Sequence, residues 1–276
     1  MIGFVLFHLG AVAAVLYMAL GGFSWATIGL AVVWYWLSGF SITGGYHRLF
    51  SHRAYRSSRP LRWFFLLFGA AAFQTSVLNW CSDHRRHHAH SDKEGDPYSV
   101  TQGFWWAHMK WMLVKNPVGM QRELVQDLEA QRSIELQHRY YLPLALFMAF
   151  LAPALIASLW GDFWGGLLVA GALRLTTLLH ATWCINSLAH TIGRRPYDRD
   201  STARDNGLVA LITFGEGYHN FHHRFPGDYR NGIRWYHLDP TKWFVWALAR
   251  VGLTQGLRRT PAPAIARARA SSGVSS

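Results

Sequence analysis

The sequence predicts an all-α integral membrane protein, with four transmembrane helices and a cytoplasmic helical cap that holds a histidine-rich di-metal site. Two observations carry this prediction. The first is composition: 51% of the 276 residues are hydrophobic and 14 are tryptophan, which is typical of membrane proteins. The second is a repeated histidine spacing, in WCSDHRRHHAH and again in GEGYHNFHH, between long apolar segments.

Four apolar segments have about the length that a bilayer core requires, roughly 20 residues. These predicted spans cover residues 2–20, 23–42, 140–160 and 163–185. The last span contains Arg174, and an ionisable group at membrane depth usually faces the protein interior or a wet cavity. Cavity lining and snorkelling to the interface are both open for this arginine.

One domain is expected over residues 1–256. Within it, the apolar stretch 61–80 has a polar second half, so we expect a helix that lies in the membrane interface or against the other helices. The composition of residues 257–276, LRRTPAPAIARARASSGVSS, predicts a disordered tail.

The distribution of charge predicts the orientation. The turns Gly21–Gly22 and Gly161–Asp162 carry no Lys or Arg, whereas nearly every basic residue lies in 43–139 or 186–276. Basic segments stay on the cytoplasmic side. The active site and both termini are therefore expected there, with a bacterial inner membrane as the setting. The formal charge of +12 has the same explanation, so we expect membrane lipid around the chain and no nucleic acid.

The histidines carry the chemistry. His84, His87 and His88 lie at positions i, i+3 and i+4, which share one face of a helix. We therefore expect their three imidazoles to converge on one point. A second cluster has the same spacing: His219, His222 and His223.

Three further histidines extend the pattern. His47 and His52 are spaced HxxxxH, about 140° apart around an α-helix, so they require a helix end or different metals. His190 follows Asn186 by about one helical turn in NSLAH. Nine imidazoles exceed the three or four protein ligands of one zinc ion, so we infer two ions. Imidazole suits iron, copper, zinc and nickel, which leaves the metal open. We expect no metal-ligand role for the other six histidines. One of them, His90, lies just after His88, and five are isolated: His8, His108, His138, His180 and His237.

Four segments together resemble the membrane fatty acid desaturases, and most of all the Δ9 acyl-CoA type related to stearoyl-CoA desaturase. They are GGYHRLFSHRAYRS, WCSDHRRHHAHSDKEGDPYS, ATWCINSLAH and GEGYHNFHHRFPGDYRNG, and the likeness covers roughly residues 30–245. It implies an oxidoreductase with two non-haem iron ions, which uses O₂ to introduce a cis double bond, at Δ9, into a saturated fatty acyl chain.

The resemblance also implies roles for individual residues. The iron ligands would be the nine patterned histidines: His47, His52, His84, His87, His88, His190, His219, His222 and His223. Asn186 would contact one iron through water. Trp80, Gln74 and Thr182 match residues that shape the bend of the acyl tunnel in that family.

The sequence departs from the acyl-CoA members at two positions. Ser82 stands where those members carry a basic residue, and Thr75 where they often have Asn. Three residues are candidate contacts for the acyl carrier: Asp83, Lys110 and Lys115. The expected carrier is CoA, with a carrier protein or a lipid as alternatives.

The chain shows no HPGG haem motif, no cysteine set for an iron–sulfur cluster and no GxGxxG after a strand. Electrons are therefore expected from a separate ferredoxin-, rubredoxin- or cytochrome b5-like protein with its reductase, and a basic surface would suit an acidic partner.

Two other classes of function are open. A di-iron lipid hydroxylase or alkane-type monooxygenase would use the same metals, and the histidine spacing together with NxxAH favours desaturation. A membrane haem or metal-transport subunit would place single histidines near mid-span, whereas these clusters lie outside the predicted spans.

Overall fold

The structure, a computed structural model, describes residues 2–22, 24–114 and 118–273. Its α-helices are Ile2–Ala19 (α1), Trp25–Phe40 (α2), Arg59–Ala71 (α3), Val77–His90 (α4), Trp111–Leu113 (α5), Gln126–Glu129 (α6), Arg132–Arg139 (α7), Tyr141–Leu146 (α8), Ala152–Ala157 (α9), Phe163–Gly165 (α10), Arg174–Thr191 (α11), Gly207–Ile212 (α12), His219–Arg224 (α13), Pro240–Arg250 (α14) and Ala262–Ser271 (α15). The strands Arg56–Ser57 (β1) and Thr254–Gln255 (β2) form an antiparallel pair.

Wider and tighter helical turns join some of these helices into longer ones. The π-helical segments are Ser41–Ser51, Trp106–Lys110, Phe147–Leu151 and Gly166–Leu173. The 3₁₀ turns are Val100–Gln102, Arg122–Leu124 and Ser158–Trp160.

Three continuous helical stretches are long and apolar enough to cross a membrane: Trp25–Ser51, Tyr141–Trp160 and Phe163–Thr191. They include three of the expected spans, two of which continue beyond the predicted ends at residues 42 and 185. Helix α1, with 18 residues, falls short of this criterion and stays a predicted span. The structure thus bears out a multi-pass helical membrane protein.

We expected one helix over residues 61–80. The structure instead divides this stretch between two helices, α3 and α4. Helix α3 ends at Ala71, and Phe73 and Thr75 adopt positive φ angles of 54° and 72°. These conformations are incompatible with a continuing right-handed helix. Ser76 then caps α4 by accepting a hydrogen bond from the Asn79 backbone. The break leaves Gln74 and Thr75 in a loop beside the site.

The main core lies behind the first histidine segment. Tyr46, Phe65, Leu66 and Val245 are buried there together, which packs the π-helix Ser41–Ser51 against α3, α4 and α14. The π-helix and α3 approach closely because Gly45 has no side chain. A Cβ atom at this position would come within 2.7 Å of the Phe65 side chain. This packing holds the histidine segment against the bundle.

Arg174 neither snorkels nor lines the main cavity. It is 3% exposed and donates hydrogen bonds to three backbone carbonyls, those of Ala71, Ala149 and Ala170, at 2.8–3.0 Å. These carbonyls belong to three different helical segments. The guanidinium therefore joins the end of α3 to the interiors of two candidate membrane helices, Tyr141–Trp160 and Phe163–Thr191.

The expectation of a disordered tail over residues 257–276 is wrong for its described part, which ends at residue 273. Residues Ala262–Ser271 form α15, which follows from their richness in alanine, the strongest helix former. Ile265 and Ala268 pack against Phe221 and Tyr197, and Arg269 donates a 2.8 Å hydrogen bond to the Tyr197 hydroxyl. The helix thus packs on the outer side of α13, which carries His219, His222 and His223.

We predict that Arg174→Leu lowers the free energy of unfolding by about 3 kcal/mol, because three buried carbonyls lose their donor. Thermal and denaturant unfolding of the protein in detergent measures this loss. Arg139→Leu, which removes an exposed arginine, is the matched control and should change stability by no more than about 0.5 kcal/mol. Equal stabilities of the two variants would contradict the assigned role.

Candidate metal centre

The first histidine segment owes its geometry to a π-helix. The backbone amide of His52 donates to the His47 carbonyl at 3.1 Å, a bond across five residues. In an α-helix these rings would diverge by about 140°, but the wider π turn brings residues five apart onto one face. The ring centroids lie 4.9 Å apart. Both histidines therefore belong to one group.

Helix α4 divides its histidines between two groups. His84 and His88, four residues apart, face His52 at ring-centroid distances of 4.9 and 4.6 Å. His87 points elsewhere and lies 5.1 Å from the ring of His223. The expectation that three imidazoles of this box converge on one point is wrong, because positions i+3 and i+4 lie on either side of the helix face that position i defines.

The nine patterned histidines form two compact groups. In each, one nitrogen per ring lies within 4.8 Å of those of all the other members. The first group, called here the five-histidine group, is His47, His52, His84, His88 and His222. The second, the four-histidine group, is His87, His190, His219 and His223. Helices α4 and α13 contribute to both, so the two groups lie side by side.

Ring nitrogens inside each group face one another without a protein acceptor between them. The Nε2 atom of His222 lies 2.9 Å from that of His47 and 3.0 Å from that of His88. In the four-histidine group, His190 Nε2 is buried with no hydrogen-bond partner among the described residues. Converging lone pairs and an unpartnered nitrogen fit the coordination of a cation, so the donor set suits one metal ion in each group.

Outer hydrogen bonds orient several of these rings. His47 Nδ1 donates to Glu216 at 2.9 Å, and His87 Nδ1 donates to Asp96 at 2.9 Å. His190 Nδ1 contacts the Thr202 hydroxyl at 2.7 Å. A bond of this kind fixes the tautomer and leaves Nε2 free for a metal. Sequence reasoning missed these three outer partners, although Glu216 stands three residues before His219 in GEGYHNFHH.

Glu216 is the centre of a buried ionic cluster. Its carboxylate also accepts from Arg48 at 2.9 Å and from the Asn231 amide at 2.7 Å, and Arg48 donates in turn to Asp239. Burial alone would raise the pKa of the Glu216 carboxyl, but His47 and Arg48 lower it to about 2. The carboxylate is therefore ionised at neutral pH and stabilises the orientation of the His47 ring.

The protein environment favours the neutral form of six imidazoles that lie outside the membrane helices. Burial, followed by the charges of neighbouring rings, lowers their pKa values well below the ordinary 6.5; these rings are His52, His84, His88, His219, His222 and His223. A metal competes with protons for ring nitrogens, so a neutral set is prepared for metal binding at physiological pH.

A cavity of about 550 Å³ opens onto both groups. Its wall includes His47 and His84 of the five-histidine group and His87 and His219 of the four-histidine group. Much of the rest is apolar and comes from α1, α11 and the segment around Trp111. An elongated apolar molecule that enters this cavity would pass both candidate metal positions.

The three predicted bend residues lie together on the cavity wall. The Gln74 amide donates to the Thr182 hydroxyl at 2.8 Å, and the Trp80 indole donates to the Gln74 carbonyl oxygen at 3.3 Å. Each polar group satisfies another, so the wall carries polar side chains without leaving donors unpaired.

The other predicted contact residues fall in different places. Asn186 and Asp83 line the cavity; burial raises the pKa of the Asp83 carboxyl to about 6, and Arg86 opposes this rise. Lys110 is exposed, and Lys115 lies outside the described residues. Ser82 is buried, and its hydroxyl accepts a 2.8 Å hydrogen bond from the Gln121 backbone amide. This bond ties α4 to the segment around Gln121.

Three of the histidines that we expected to be isolated form a chain instead. The Nε2 atoms of His8 and His180 lie 3.1 Å apart, and His180 Nδ1 lies 3.2 Å from His108 Nε2. The chain ends at the Phe4 carbonyl on one side and the Ser187 hydroxyl on the other. It joins α1, α11 and the π-helix Trp106–Lys110, which no sequence spacing indicates.

The fold and site define a class: helical membrane proteins in which two histidine groups face one apolar cavity. The family model for "Fatty acid desaturase" matches residues 23–255. The chain belongs to that family.

Relatives agree with this assignment. The chain is 48% identical over 237 residues to the "Probable acyl-CoA desaturase" of Schizosaccharomyces pombe, an alignment of 85% of this chain and 50% of that protein. It is 47% identical over 240 residues to "Acyl-CoA desaturase 1" of Saccharomyces cerevisiae, covering 86% and 47%. To the human "Stearoyl-CoA desaturase" it is 40% identical over 240 residues, covering 85% and 67%. The chain thus spans about half the length of the two yeast proteins.

We predict that Asp96→Asn weakens metal binding in the four-histidine group about 10- to 100-fold, because His87 loses its carboxylate partner. Metal content is measured by elemental analysis after dialysis against graded chelator, and one ion per chain should be lost before the other. Asp228→Asn changes a buried aspartate that bonds Arg230 and should leave both ions bound. Equal retention in the two variants would contradict the assignment.

Proposed function

We propose that the protein is an O₂-dependent di-iron desaturase that introduces a cis double bond, at Δ9, into a saturated fatty acyl chain carried as acyl-CoA. One observation carries this proposal: a largely apolar cavity of about 550 Å³ is lined by histidines of both groups, His47, His84, His87 and His219. Family membership and the names of the relatives support the substrate class.

The nine histidines would hold one iron ion in each group. Bound iron would supply the activation of O₂ that is needed to remove two hydrogens from an unactivated methylene pair, chemistry that belongs to a cofactor and not to side-chain acids or bases. Asn186, on the cavity wall near His190 in the chain, would contact one ion through water.

The side chains around the cavity would position the substrate. Its apolar walls would bury the acyl chain and exclude water, as expected of a pocket for an apolar ligand. The linked side chains of Gln74, Thr182 and Trp80 would bend the chain and present one methylene pair to the centre, since reaction at one bond requires a fixed orientation.

The acyl carrier would lie at the polar end of the cavity. Asp83 lines it, and Lys110 and Lys115 are cations that would suit the phosphates of CoA. Ser82 supplies no charge, so CoA recognition would depend on other residues than in the family members that carry a basic residue there. The carrier itself is supported by the names of the relatives.

The surroundings follow from hydropathy and charge. With α1 as a fourth span, the turns that lack Lys and Arg would lie outside the cytoplasm, and the histidine groups and termini would lie in it, in a bacterial inner membrane. A separate ferredoxin-, rubredoxin- or cytochrome b5-like donor would supply electrons, and the formal charge of +12 would attract an acidic partner.

The test is expression in a host that lacks its own desaturase, together with a donor of each type, and analysis of the acyl chains by mass spectrometry. We expect a cis double bond at Δ9. Hydroxylated chains without a new double bond would contradict the proposal, as would unchanged chains when iron is bound and every donor class has been supplied.

A matched pair of substitutions on α4 connects the product to the histidines. His88→Ala removes a member of the five-histidine group and should abolish the double bond, a loss of more than about 100-fold. His90→Ala changes an exposed ring outside both groups and should keep product within about twofold of the unaltered protein. Activity that survives His88→Ala would contradict the metal assignment.

A further inference from the structure

The turn between α12 and α13 contains an unusual residue. Phe214 has a φ angle of 57°, in the left-handed region that bulky side chains rarely adopt. Its side chain is buried, with 4% exposure. Strain of this kind persists only where the surroundings enforce it and is found preferentially at functional sites.

The ring of Phe214 lies directly on Gly39, in the interior of the continuous helical stretch Trp25–Ser51. A Cβ at Gly39 would overlap the ring, and glycine is a poor residue for a helix interior. Two locally unfavourable features, the positive φ angle of Phe214 and the glycine within a helix, thus occur at the same contact, between the Phe214 ring and Gly39. Tyr35 and Trp36 pack on the same ring, with centroids 5.2 and 5.0 Å away, so its position is fixed.

This ring lines a small void that adjoins the main cavity. The void, about 10 Å³, is bounded by Gly39 and Phe214. It shares four wall residues with the main cavity: Ile42, Thr43, Thr182 and Ile185. One of these shared residues is Thr182, a predicted bend residue, so the void adjoins the cavity wall at the predicted bend.

The same turn is tied to the histidine groups. Glu216, two residues after Phe214, accepts from His47 Nδ1 at 2.9 Å. The turn is closed by hydrogen bonds from Gly215 N to the Ala210 carbonyl at 2.8 Å and from Glu216 N to the Thr213 carbonyl at 3.0 Å. One short, rigid turn therefore fixes both a ring of the five-histidine group and the Phe214 side chain.

We propose that Phe214 is the end stop of the acyl site and determines how many carbons extend beyond the reacting methylene pair. The inference rests on the proposed desaturase function. The turn holds Phe214 at a constant distance from His47. An acyl chain whose methyl end just reaches the Phe214 ring would therefore fill the site. A longer chain collides with the ring, and a shorter one leaves apolar surface unburied.

The test is competition among saturated acyl-CoA substrates of 16, 18 and 20 carbons at equal concentration, a series of about two methylenes per step, with the metal-loaded protein and its donor. In an apolar pocket a single methylene changes kcat/KM about tenfold or more. Phe214→Leu should therefore raise the ratio of longer to shorter products about tenfold, and Phe214→Ala should raise it further. The double bond should keep its position relative to the carboxyl end.

Two further variants keep the result decisive. Ala181→Val adds bulk to the void from α11 and should shift the products toward shorter chains, whether or not the Phe214 variants fold. Phe244→Leu is the matched control: it removes a ring that stacks on Phe40 at 4.4 Å but does not line the cavity or the void, and it should leave the ratio unchanged.

The outcomes separate the two proposals. Double bonds in every variant at an unchanged chain-length ratio would overturn the end stop and leave the desaturase function standing. A similar shift in Phe244→Leu would also overturn it. If the unaltered, metal-loaded protein forms no double bond with any donor, the proposed function fails, and the end stop fails with it.

Discussion

The π-helix Ser41–Ser51 is the constraint on which the candidate metal centre depends. Its bond from the His52 amide to the His47 carbonyl makes a five-residue spacing compatible with a shared group of ligands. A π-helix is rare and is found mainly where function requires it. Here the surrounding contacts enforce it: Tyr46 is in the core, and Arg48 is bonded to both Glu216 and Asp239. An α-helical continuation would turn His52 away and leave the five-histidine group incomplete.

The division into five and four ligands follows from the geometry of α4 and α13. Each of the two helices carries histidines on adjoining faces and supplies members to both groups. Each group therefore requires both α4 and α13. The outer carboxylates Glu216 and Asp96 then orient one ring in each group. Because these carboxylates are buried and bonded, the ring orientations exist before a metal binds, which lowers the cost of assembling the centre.

Sequence reasoning identified three helical stretches that could cross a membrane and the nine clustered histidines, because both depend on local patterns: hydropathy over about 20 residues and spacings within one helix. It did not predict which histidine joins which group, since that depends on a π turn and on helix positions set by packing. The chain from His8 through His180 to His108 and the contact of Phe214 with Gly39 join residues more than 70 positions apart. The prediction of a disordered tail was wrong for a related reason. Composition indicated a disordered basic segment, but the alanine-rich helix α15 packs against the apolar side chain of Phe221 on α13.

The central claim is that five histidines hold one metal ion and four hold the other. The most direct measurement is an experimental structure of the iron-loaded protein with anomalous diffraction recorded on both sides of the iron absorption edge. The account predicts two iron peaks per chain, one among His47, His52, His84, His88 and His222 and the other among His87, His190, His219 and His223. A single peak, or two peaks whose ligands mix members of the two groups, would contradict it.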